Sequence, residues 1–319
     1  MLNDIFVCGS SVASGYGKGK LDQQMGYNLK SWVTGLAEHT NANNVWNVSL
    51  PSKPIGLSTA DAVQFVRQYW EKYRSFDNLF VIVEYTLPQY KHWDPIAVAR
   101  NDAKEEIEVI PITFFKMGKN TDHLTVDDPR YRGINHVGNK FLKRNTEEYN
   151  MLSPTSTNPL YEEISAADLD KTFVNQMHKR SKDWLKYDIL DSETGAPQLS
   201  EKKMTTYLRY ASDEIFSLRN YLESFNIPFL MFWAGGQTDT FCKKVDKYFA
   251  PLIESHRLIP MAQFSCNRAA NEWSEESWGV HPDEIGHKRI AEFVYDWIHT
   301  HKLYVRPNSK IFTGDFVQH

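Results

Sequence analysis

The stretch DIFVCGSSVASGYG, residues 4–17, joins a short apolar run to an abrupt turn rich in glycine and serine. The run Asp4–Cys8 predicts a buried β-strand, and the small residues after it predict a tight turn. Ligands bind outside the carboxyl ends of the strands in open parallel sheets. Ser10 and Ser11 therefore lie where a functional site is expected, although the turn taken alone favours a purely structural role.

Beyond this turn, strands and helices alternate along the chain. Hydrophobic periodicity predicts helices at 25–39, 58–76, 204–226, 239–256 and 282–302, and strands at 4–8, 44–50, 78–86 and 227–235 with a strand-like run at 258–265. Ser58 is the expected N-cap of the second helix, and Pro282 is expected in the first turn of the last. The run at 78–86 is apolar without alternation, so it is expected to be buried on both faces. This order predicts βαβ units and an α/β fold with a mostly parallel sheet.

The alternation is interrupted between residues 94 and 203, which are polar and irregular. The segment is too long for a simple loop, and it contains an expected strand at 105–115 and an expected helix at 165–187. The predicted organisation is an α/β domain of residues 1–93 and 204–305, an insertion at 94–203 and a C-terminal tail at 306–319.

Composition excludes several classes of protein. A net charge of −4 over 319 residues gives no global basic field, so no nucleic-acid partner is expected. Three cysteines without metal-ligand spacing predict neither a disulfide framework nor a metal site, and no cofactor is expected. No window is apolar enough for a membrane span, and the N-terminus lacks the features of a signal peptide. We expect synthesis in the cytoplasm, with particle association or release by lysis left open.

A second motif, WGVHPDEIGHKRIAEF, lies at residues 278–293. It places His281 directly before the last helix, at the edge of the predicted sheet, where an imidazole can act as a general base. A capping or surface histidine is the alternative. His287 lies inside the helix and is expected to have a packing or surface role.

Together the two motifs resemble the SGNH (GDSL) hydrolase superfamily. That family opens with Gly-Asp-Ser-x-x-x-Gly, and residues 9–15 read GSSVASG. It closes with Asp-x-x-His-Pro-(Asn/Asp)-x-x-Gly-His, and residues 278–287 read WGVHPDEIGH. The resemblance covers residues 1–93 and 204–302.

This resemblance implies a three-layer αβα fold with a central, mostly parallel sheet, of the SGNH or flavodoxin-like kind, carrying a long insertion. It also implies a serine esterase mechanism, with Ser11 as the nucleophile and His281 as its base. The backbone N–H of Ser11 would contribute to the oxyanion hole. Members of the family commonly remove acyl groups from carbohydrates, lipids or small esters.

The chain departs from the family pattern at the acid. Trp278 stands where the family has the aspartate that orients the histidine. Loss of such an orienting group can lower the rate by orders of magnitude. The acidic residues that are candidates to replace it are Glu275, Glu276 and Asp283.

The chain also departs from the pattern around the oxyanion hole. Ser10 replaces the aspartate of the opening motif, Ser52 stands where a glycine is expected, and the asparagine motif after the third strand is missing. The candidate oxyanion or substrate contacts are Ser10, Gly56, Thr86, Gln89 and Tyr90.

Two principal hypotheses follow. The first is a hydrolase, an SGNH-like serine esterase or deacetylase acting on an acylated small molecule or glycan. The second is a catalytically inactive SGNH-like domain that binds or assembles within a larger protein assembly such as a virion. A nucleotide-binding α/β protein is a third hypothesis, but the chain lacks a phosphate-binding motif. An aromatic group after the third strand weakly favours a carbohydrate, and a hydrophobic lid over the insertion is the equal alternative; its members are Tyr85, Tyr90, His92 and Trp93.

Overall fold

A computed structural model of the chain describes residues 2–15, 30–49, 53–86, 97–101, 104–117, 134–144, 161–188, 201–235, 239–275 and 281–306. In chain order the elements are β1 (Asp4–Cys8), α1 (Trp32–Thr40), β2 (Asn44–Asn47), α2 (Ile55–Tyr73), β3 (Leu79–Tyr85), β4 (Ala97–Arg100), β5 (Glu106–Met117), β6 (Ile134–Arg144), β7 (Tyr161–Ile164), α3 (Lys171–Asp188), α4 (Glu201–Ser224), β8 (Phe229–Trp233), α5 (Asp239–Tyr248), α6 (Ala250–Glu254), α7 (Cys266–Trp273) and α8 (Glu284–Thr300). A single 3-10 turn, Ala166–Asp168, precedes α3.

Four of the strands form a parallel sheet in the order β2-β1-β3-β8. β1 pairs with β2 on one side and with β3 on the other, and β3 pairs with β8. The predicted α/β class with a parallel central sheet is confirmed. The strand order reverses between β1 and β3, and such a switch point is where open α/β sheets bind ligands.

Helices cover both faces of this sheet because its strands are apolar on both sides. Phe6 and Cys8 of β1 point into a core with α2, α4, α5 and α6, whereas Ile5 and Val7 point into a core with α1, α7 and α8. All seven residues of β3 are buried, as predicted for a strand covered on both faces. Each large side chain buried in this way contributes about 1.5–3 kcal/mol to folding.

Three predicted helix starts are wrong. The helix expected at 25–39 begins at Trp32, with Ser31 as its N-cap, and residues 25–29 lie outside the described residues. α2 begins at Ile55 with Pro54 as its N-cap, so Ser58 lies in the first turn and donates its backbone N–H to the Pro54 carbonyl at 3.1 Å. The φ of Pro54, −70°, suits the extended backbone of an N-cap. α8 begins at Glu284 with Asp283 as its N-cap, so Pro282 precedes the cap instead of lying in the first turn.

The region between β8 and α8 also differs from the prediction. The helix expected at 239–256 is divided into α5 and α6, with Phe249 between them and Pro251 at the start of α6. The strand-like run at 258–265 makes one parallel bridge, between Leu258 and Met231. α7 was not predicted, because its eight residues are largely small or polar.

The insertion contains an antiparallel sheet of β4, β5, β6 and β7 in chain order. The strand predicted at 105–115 is confirmed as β5. The helix predicted at 165–187 is confirmed from residue 171 onward as α3, and a 3-10 turn and two non-helical residues precede it. A separate small core lies within this segment, formed by Ala99, Val109, Phe141, Leu169 and Met177. α4 begins at Glu201, close to the predicted end of the insertion, and the tail from residue 307 lies outside the described residues.

Candidate active site

The serine turn after β1 is held by its own backbone. The N–H of Ser14 donates to the Ser10 carbonyl and the N–H of Gly15 donates to the Val12 carbonyl, both at 3.1 Å. Gly15 in this turn has a φ of 74°, a left-handed conformation that favours glycine. The Ser14 hydroxyl also donates to the Ser11 carbonyl at 2.8 Å. These bonds fix Ser11 in a half-buried position on the turn.

Gly9 lets this turn pack directly against the end of β3. A Cβ atom at Gly9 would lie 2.7 Å from the Ala13 Cβ, which is closer than real side chains approach, and 3.0 Å from the Glu84 Cβ, which is a tight contact. On the other side of the turn, the Asn47 side chain donates from Nδ2 to the Ala13 carbonyl at 2.8 Å. The turn is therefore held between the end of β2, through a hydrogen bond, and the end of β3, through close packing.

The structure brings the first and last motifs together. Ser11 Oγ lies 2.9 Å from Nε2 of His281, across 270 residues of sequence. This is hydrogen-bonding distance. The resemblance of the two motifs to the SGNH family predicts that these two side chains lie close together. For Nε2 to accept the Ser11 proton, the ring proton of His281 must be on Nδ1. The pair has the geometry of a nucleophile and its base.

Asp283, two residues after His281, is the N-cap of α8. Oδ1 of Asp283 accepts from the Gly286 N–H at 2.7 Å, and Oδ2 accepts from the Glu275 N–H at 2.8 Å. The Asp283 N–H in turn donates to the Ser274 hydroxyl at 3.1 Å. One carboxylate oxygen of Asp283 therefore caps α8, and the other binds the backbone that follows α7.

These contacts bear on the acids predicted to orient His281. Asp283 is two residues after His281 in the sequence, and its side chain caps α8. Glu275 donates its backbone N–H to Asp283, and its own side chain is exposed. Glu276 and Trp278 lie outside the described residues. An orienting role for any of the three acids stays a prediction.

His287, the second histidine of the closing motif, is buried in the core. Its Nδ1 accepts a hydrogen bond of 3.2 Å from the backbone N–H of Trp32, the first residue of α1. Burial, followed by the nearby His281, lowers the pKa of His287 to about 4, with Asp283 opposing the shift. The ring is therefore neutral at physiological pH. The expected packing role is confirmed.

Glu84 lies under the serine turn and was not predicted to belong to the site. Its Oε1 accepts from the N–H of Ser10 at 3.0 Å and from the Ser10 hydroxyl. Its Oε2 accepts from the indole N–H of Trp32 at 3.0 Å and contacts the Cys266 thiol at 3.8 Å. Burial raises the pKa of Glu84 above its ordinary value, and the hydrogen bonds from Ser10 and Trp32 oppose this without cancelling it. The sequence signal was a single acidic residue in the apolar run NLFVIVEYT.

Two predicted oxyanion or substrate contacts have other partners. The Ser10 side chain is buried and bonded to Glu84, so the structure gives it an internal role instead of a contact with substrate. The Thr86 hydroxyl donates its proton to the Lys53 carbonyl at 2.9 Å, which joins the end of β3 to the loop before α2. Neither hydroxyl proton is directed at the Ser11–His281 pair.

The other predicted contacts are less well defined. Gly56 lies in the first turn of α2, and its oxyanion role stays a prediction. Gln89 and Tyr90 lie outside the described residues, as do His92 and Trp93 of the predicted aromatic group. Tyr85 of that group is a core residue, with its ring centroid 6.0 Å from that of Trp233. It is therefore not available to stack on a ligand.

The backbone N–H of Ser11 is the donor that the family resemblance assigns to the oxyanion hole. No acceptor for it occurs among the described residues. The amide of the nucleophile lies next to the carbonyl that the nucleophile attacks, so an uncommitted N–H at this position can donate to the developing oxyanion.

A buried ion pair anchors the loop between β2 and α2. Lys53 and Asp61 form this pair with almost no exposure of either side chain, and Lys53 Nζ also donates to the Val48 carbonyl at 2.8 Å. The neighbouring Cys8 thiol is buried as well, and burial raises its pKa to about 11. Cys8 is therefore a protonated core residue and not a nucleophile.

Comparisons with known proteins identify no family for this chain. No protein-family model matches it, and no curated protein matches it significantly. Within the described ranges, no cluster of His, Cys, Asp and Glu could hold a metal ion, and no helix is long and apolar enough to cross a membrane.

Proposed function

We propose that the chain is an SGNH-like serine esterase or deacetylase that hydrolyses an acylated substrate through Ser11 and His281. The observation that carries this proposal is the 2.9 Å separation of Ser11 Oγ and His281 Nε2. The strand order β2-β1-β3-β8, with helices on both faces, supports a flavodoxin-like αβα arrangement of the SGNH kind. The pair also lies at the carboxyl edge of the sheet, next to its switch point.

Acylation begins with proton transfer from Ser11 Oγ to His281 Nε2. The Ser11 oxygen forms a bond to the acyl carbon, and the carbonyl π electrons move to oxygen to give a tetrahedral oxyanion. His281 then gives its proton to the leaving alcohol or amine as the bond between that group and the acyl carbon breaks. The acyl group is now an ester on Ser11.

Deacylation repeats these steps with water. His281 takes a proton from water, and the hydroxide oxygen attacks the ester carbon. The bond to Ser11 Oγ breaks, and His281 returns the proton to Ser11. The products are a carboxylic acid and the free enzyme.

The oxyanion of both steps accepts a hydrogen bond from the backbone N–H of Ser11. This N–H has no acceptor among the described residues, and the turn that holds it is fixed by backbone bonds on both sides. A fixed donor of this kind stabilises the transition state without reorganising, and removal of one such donor typically lowers kcat by about 100- to 1,000-fold.

The substrate class follows from this chemistry. A serine nucleophile activated by a histidine transfers acyl groups, so an ester or acetamide on a small molecule or glycan is the expected substrate. A glycan is included because aromatic residues follow β3 in the sequence, and aromatic rings can stack on sugars. These residues lie outside the described ranges.

The second candidate function is a catalytically inactive SGNH-like domain with a binding or structural role in an assembly such as a virion. Two observations favour it. Trp278 occupies the position of the family acid, and the Thr86 hydroxyl, a candidate replacement for the missing oxyanion donor, donates to Lys53 instead. The two candidates differ in whether Ser11 turns over substrate.

The test is hydrolysis of p-nitrophenyl acetate and of acetylated sugars by the wild type and by Ser11→Ala. Ser224→Ala is the matched control, because it removes a serine hydroxyl that donates to a backbone carbonyl three residues earlier in the same way, but at the end of α4. We expect Ser11→Ala to fall to the uncatalysed rate and Ser224→Ala to stay within threefold of the wild type. Equal rates for the wild type and Ser11→Ala would leave the binding role.

A further inference from the structure

We propose that Glu84 is a positioning residue that aligns Ser11 with His281, acting together with Trp32. This inference rests on the proposed serine hydrolase function. Glu84 touches neither of the two dyad side chains in the described structure, but its two oxygens contact the supports of both.

The first support is the serine turn. Oε1 of Glu84 accepts from both the N–H and the hydroxyl of Ser10, the residue that precedes the nucleophile. The Ser10 hydroxyl also accepts from the Val12 N–H at 3.4 Å, so the residues on both sides of Ser11 are connected to Glu84. This arrangement fixes the backbone from which Ser11 Oγ projects.

The second support leads to the histidine. Oε2 of Glu84 accepts from the indole N–H of Trp32, and the backbone N–H of Trp32 donates to Nδ1 of His287. His287 lies in α8, whose N-cap is two residues after His281. One buried carboxyl group therefore connects the nucleophile turn with the helix that follows the base.

The chemistry of this site requires a carboxyl group. Four donors approach its two oxygens, from the Ser10 N–H, the Ser10 hydroxyl, the Trp32 indole and the Cys266 thiol. A glutamine of the same shape offers only one accepting oxygen, and its amide nitrogen would face a donor. The Glu84→Gln substitution therefore releases one of the two supports while it preserves side-chain volume.

A shift of one support relative to the other changes the geometry between Ser11 Oγ and His281 Nε2. A misplacement of about 1 Å at a reacting pair can lower the rate by about 100-fold. Substrate binding depends on the walls of the cleft and is not expected to change with it. A positioning role is therefore expected to lower kcat and the intrinsic reactivity of Ser11 more than it raises KM.

The experiment measures kcat and KM for p-nitrophenyl acetate, and the second-order rate of Ser11 labelling by a fluorophosphonate, for Glu84→Gln and Trp32→Phe. Asp4→Asn is the control for Glu84, because Asp4 is a buried carboxylate at the opposite end of β1 that accepts from Tyr69 at 2.5 Å and from Asn44 at 2.9 Å. Trp46→Phe is the control for Trp32, because Trp46 is also buried and its indole N–H has no acceptor among the described residues.

We expect Glu84→Gln and Trp32→Phe to lower kcat and the labelling rate by tenfold or more, with KM within threefold of the wild type. The two controls are expected to keep kcat within threefold, even where they lower the melting temperature. If Glu84→Gln does not fold, Trp32→Phe alone decides, because it removes the hydrogen bond from the Trp32 indole N–H to Oε2 of Glu84.

Two outcomes would overturn the inference, and they are distinguishable. If the wild type labels at Ser11 but folded Glu84→Gln and Trp32→Phe label equally fast, the positioning role is wrong and the proposed function stands. If the wild type neither labels at Ser11 nor hydrolyses the ester, the proposed function fails and the positioning role fails with it.

Discussion

The imidazole of His287 accepts a hydrogen bond of 3.2 Å from the backbone N–H of Trp32, and this bond joins the first turns of α8 to the start of α1. The two histidines of HPDEIGH therefore face different environments. His281 lies at hydrogen-bonding distance from Ser11 in the serine turn, and His287 is buried in the core. One motif thus supplies a candidate base and a structural residue that holds its helix in place.

The first prediction concerns the stability of the fold at acid pH. Between about pH 6.5 and 4 the unfolded chain protonates His287, whereas the folded chain does not, because burial lowers the pKa of this residue to about 4. Folding is therefore expected to lose stability as the pH falls through this window, by about 3 kcal/mol from this one residue. Urea unfolding at pH 7 and at pH 4.5 measures the loss.

The control for this prediction is His287→Asn, whose side-chain oxygen can accept from the Trp32 N–H in place of Nδ1. The variant is expected to be less stable at pH 7 because it leaves a cavity. Its stability is also expected to change less with pH than that of the wild type. An equal dependence on pH in the two proteins would contradict the assignment of a neutral buried imidazole.

Gly9→Ala is expected to destabilise the serine turn. The added methyl would lie 2.7 Å from the Ala13 Cβ, and overpacking of this kind typically costs about 1–3 kcal/mol. Thermal unfolding measures the cost, and ester hydrolysis is expected to fall with it. The double variant Gly9→Ala with Ala13→Gly removes the nearest contact and is expected to recover part of the loss. A Gly9→Ala protein as stable as the wild type would show that the turn does not pack as described.

The buried pair of Lys53 and Asp61 predicts strongly coupled substitutions. Lys53→Met removes the opposite charge from a carboxylate in the core, which typically costs about 3–5 kcal/mol. The double variant Lys53→Met with Asp61→Leu removes both charges, and it is expected to be more stable than the single variant. Urea unfolding of the wild type, both single variants and the double variant measures this coupling, and additive losses would contradict it.

Substitutions of Asp283 separate a capping role from a catalytic one. Loss of the cap in Asp283→Ala is expected to cost about 1 kcal/mol, whereas Asp283→Ser retains a side-chain acceptor for the start of α8. We expect Asp283→Ser to keep most of the stability, measured by thermal unfolding, and to keep kcat within tenfold of the wild type. A loss of about 10,000-fold in kcat at unchanged stability would instead identify Asp283 as the residue that orients His281.

Much of the central sheet could be predicted because its strands are apolar runs bounded by turn residues. β1, β3 and β8 are predictable in this way. The proximity of Ser11 and His281 is what the resemblance of the two motifs to the SGNH family implies. The start of α2 was placed too late, because Ser58 has the chemistry of a cap but Pro54 ends the preceding extended backbone. The capping propensity of Ser58 therefore does not determine the start of the helix, because the helix already begins directly after Pro54.

The supports of the dyad could not be predicted from the chain alone. Glu84 contacts Ser10, Trp32 and Cys266, which are 74, 52 and 182 residues away in sequence. Only the fold brings these donors to one carboxyl group, although a lone acidic residue in a buried strand already indicates that partners must exist. The pairing of the antiparallel sheet in the insertion likewise depends on long-range contacts that local periodicity does not encode.

The central claim is that Ser11 is a nucleophile activated by His281. The most direct measurement is intact-protein and peptide mass spectrometry after reaction with a fluorophosphonate, which traps an activated serine covalently. The predicted result is one adduct on the wild type, located on Ser11, with labelling slowed by 100-fold or more in His281→Ala and absent from Ser11→Ala. An unlabelled wild type, or labelling of Ser11 at the same rate without His281, would contradict the claim.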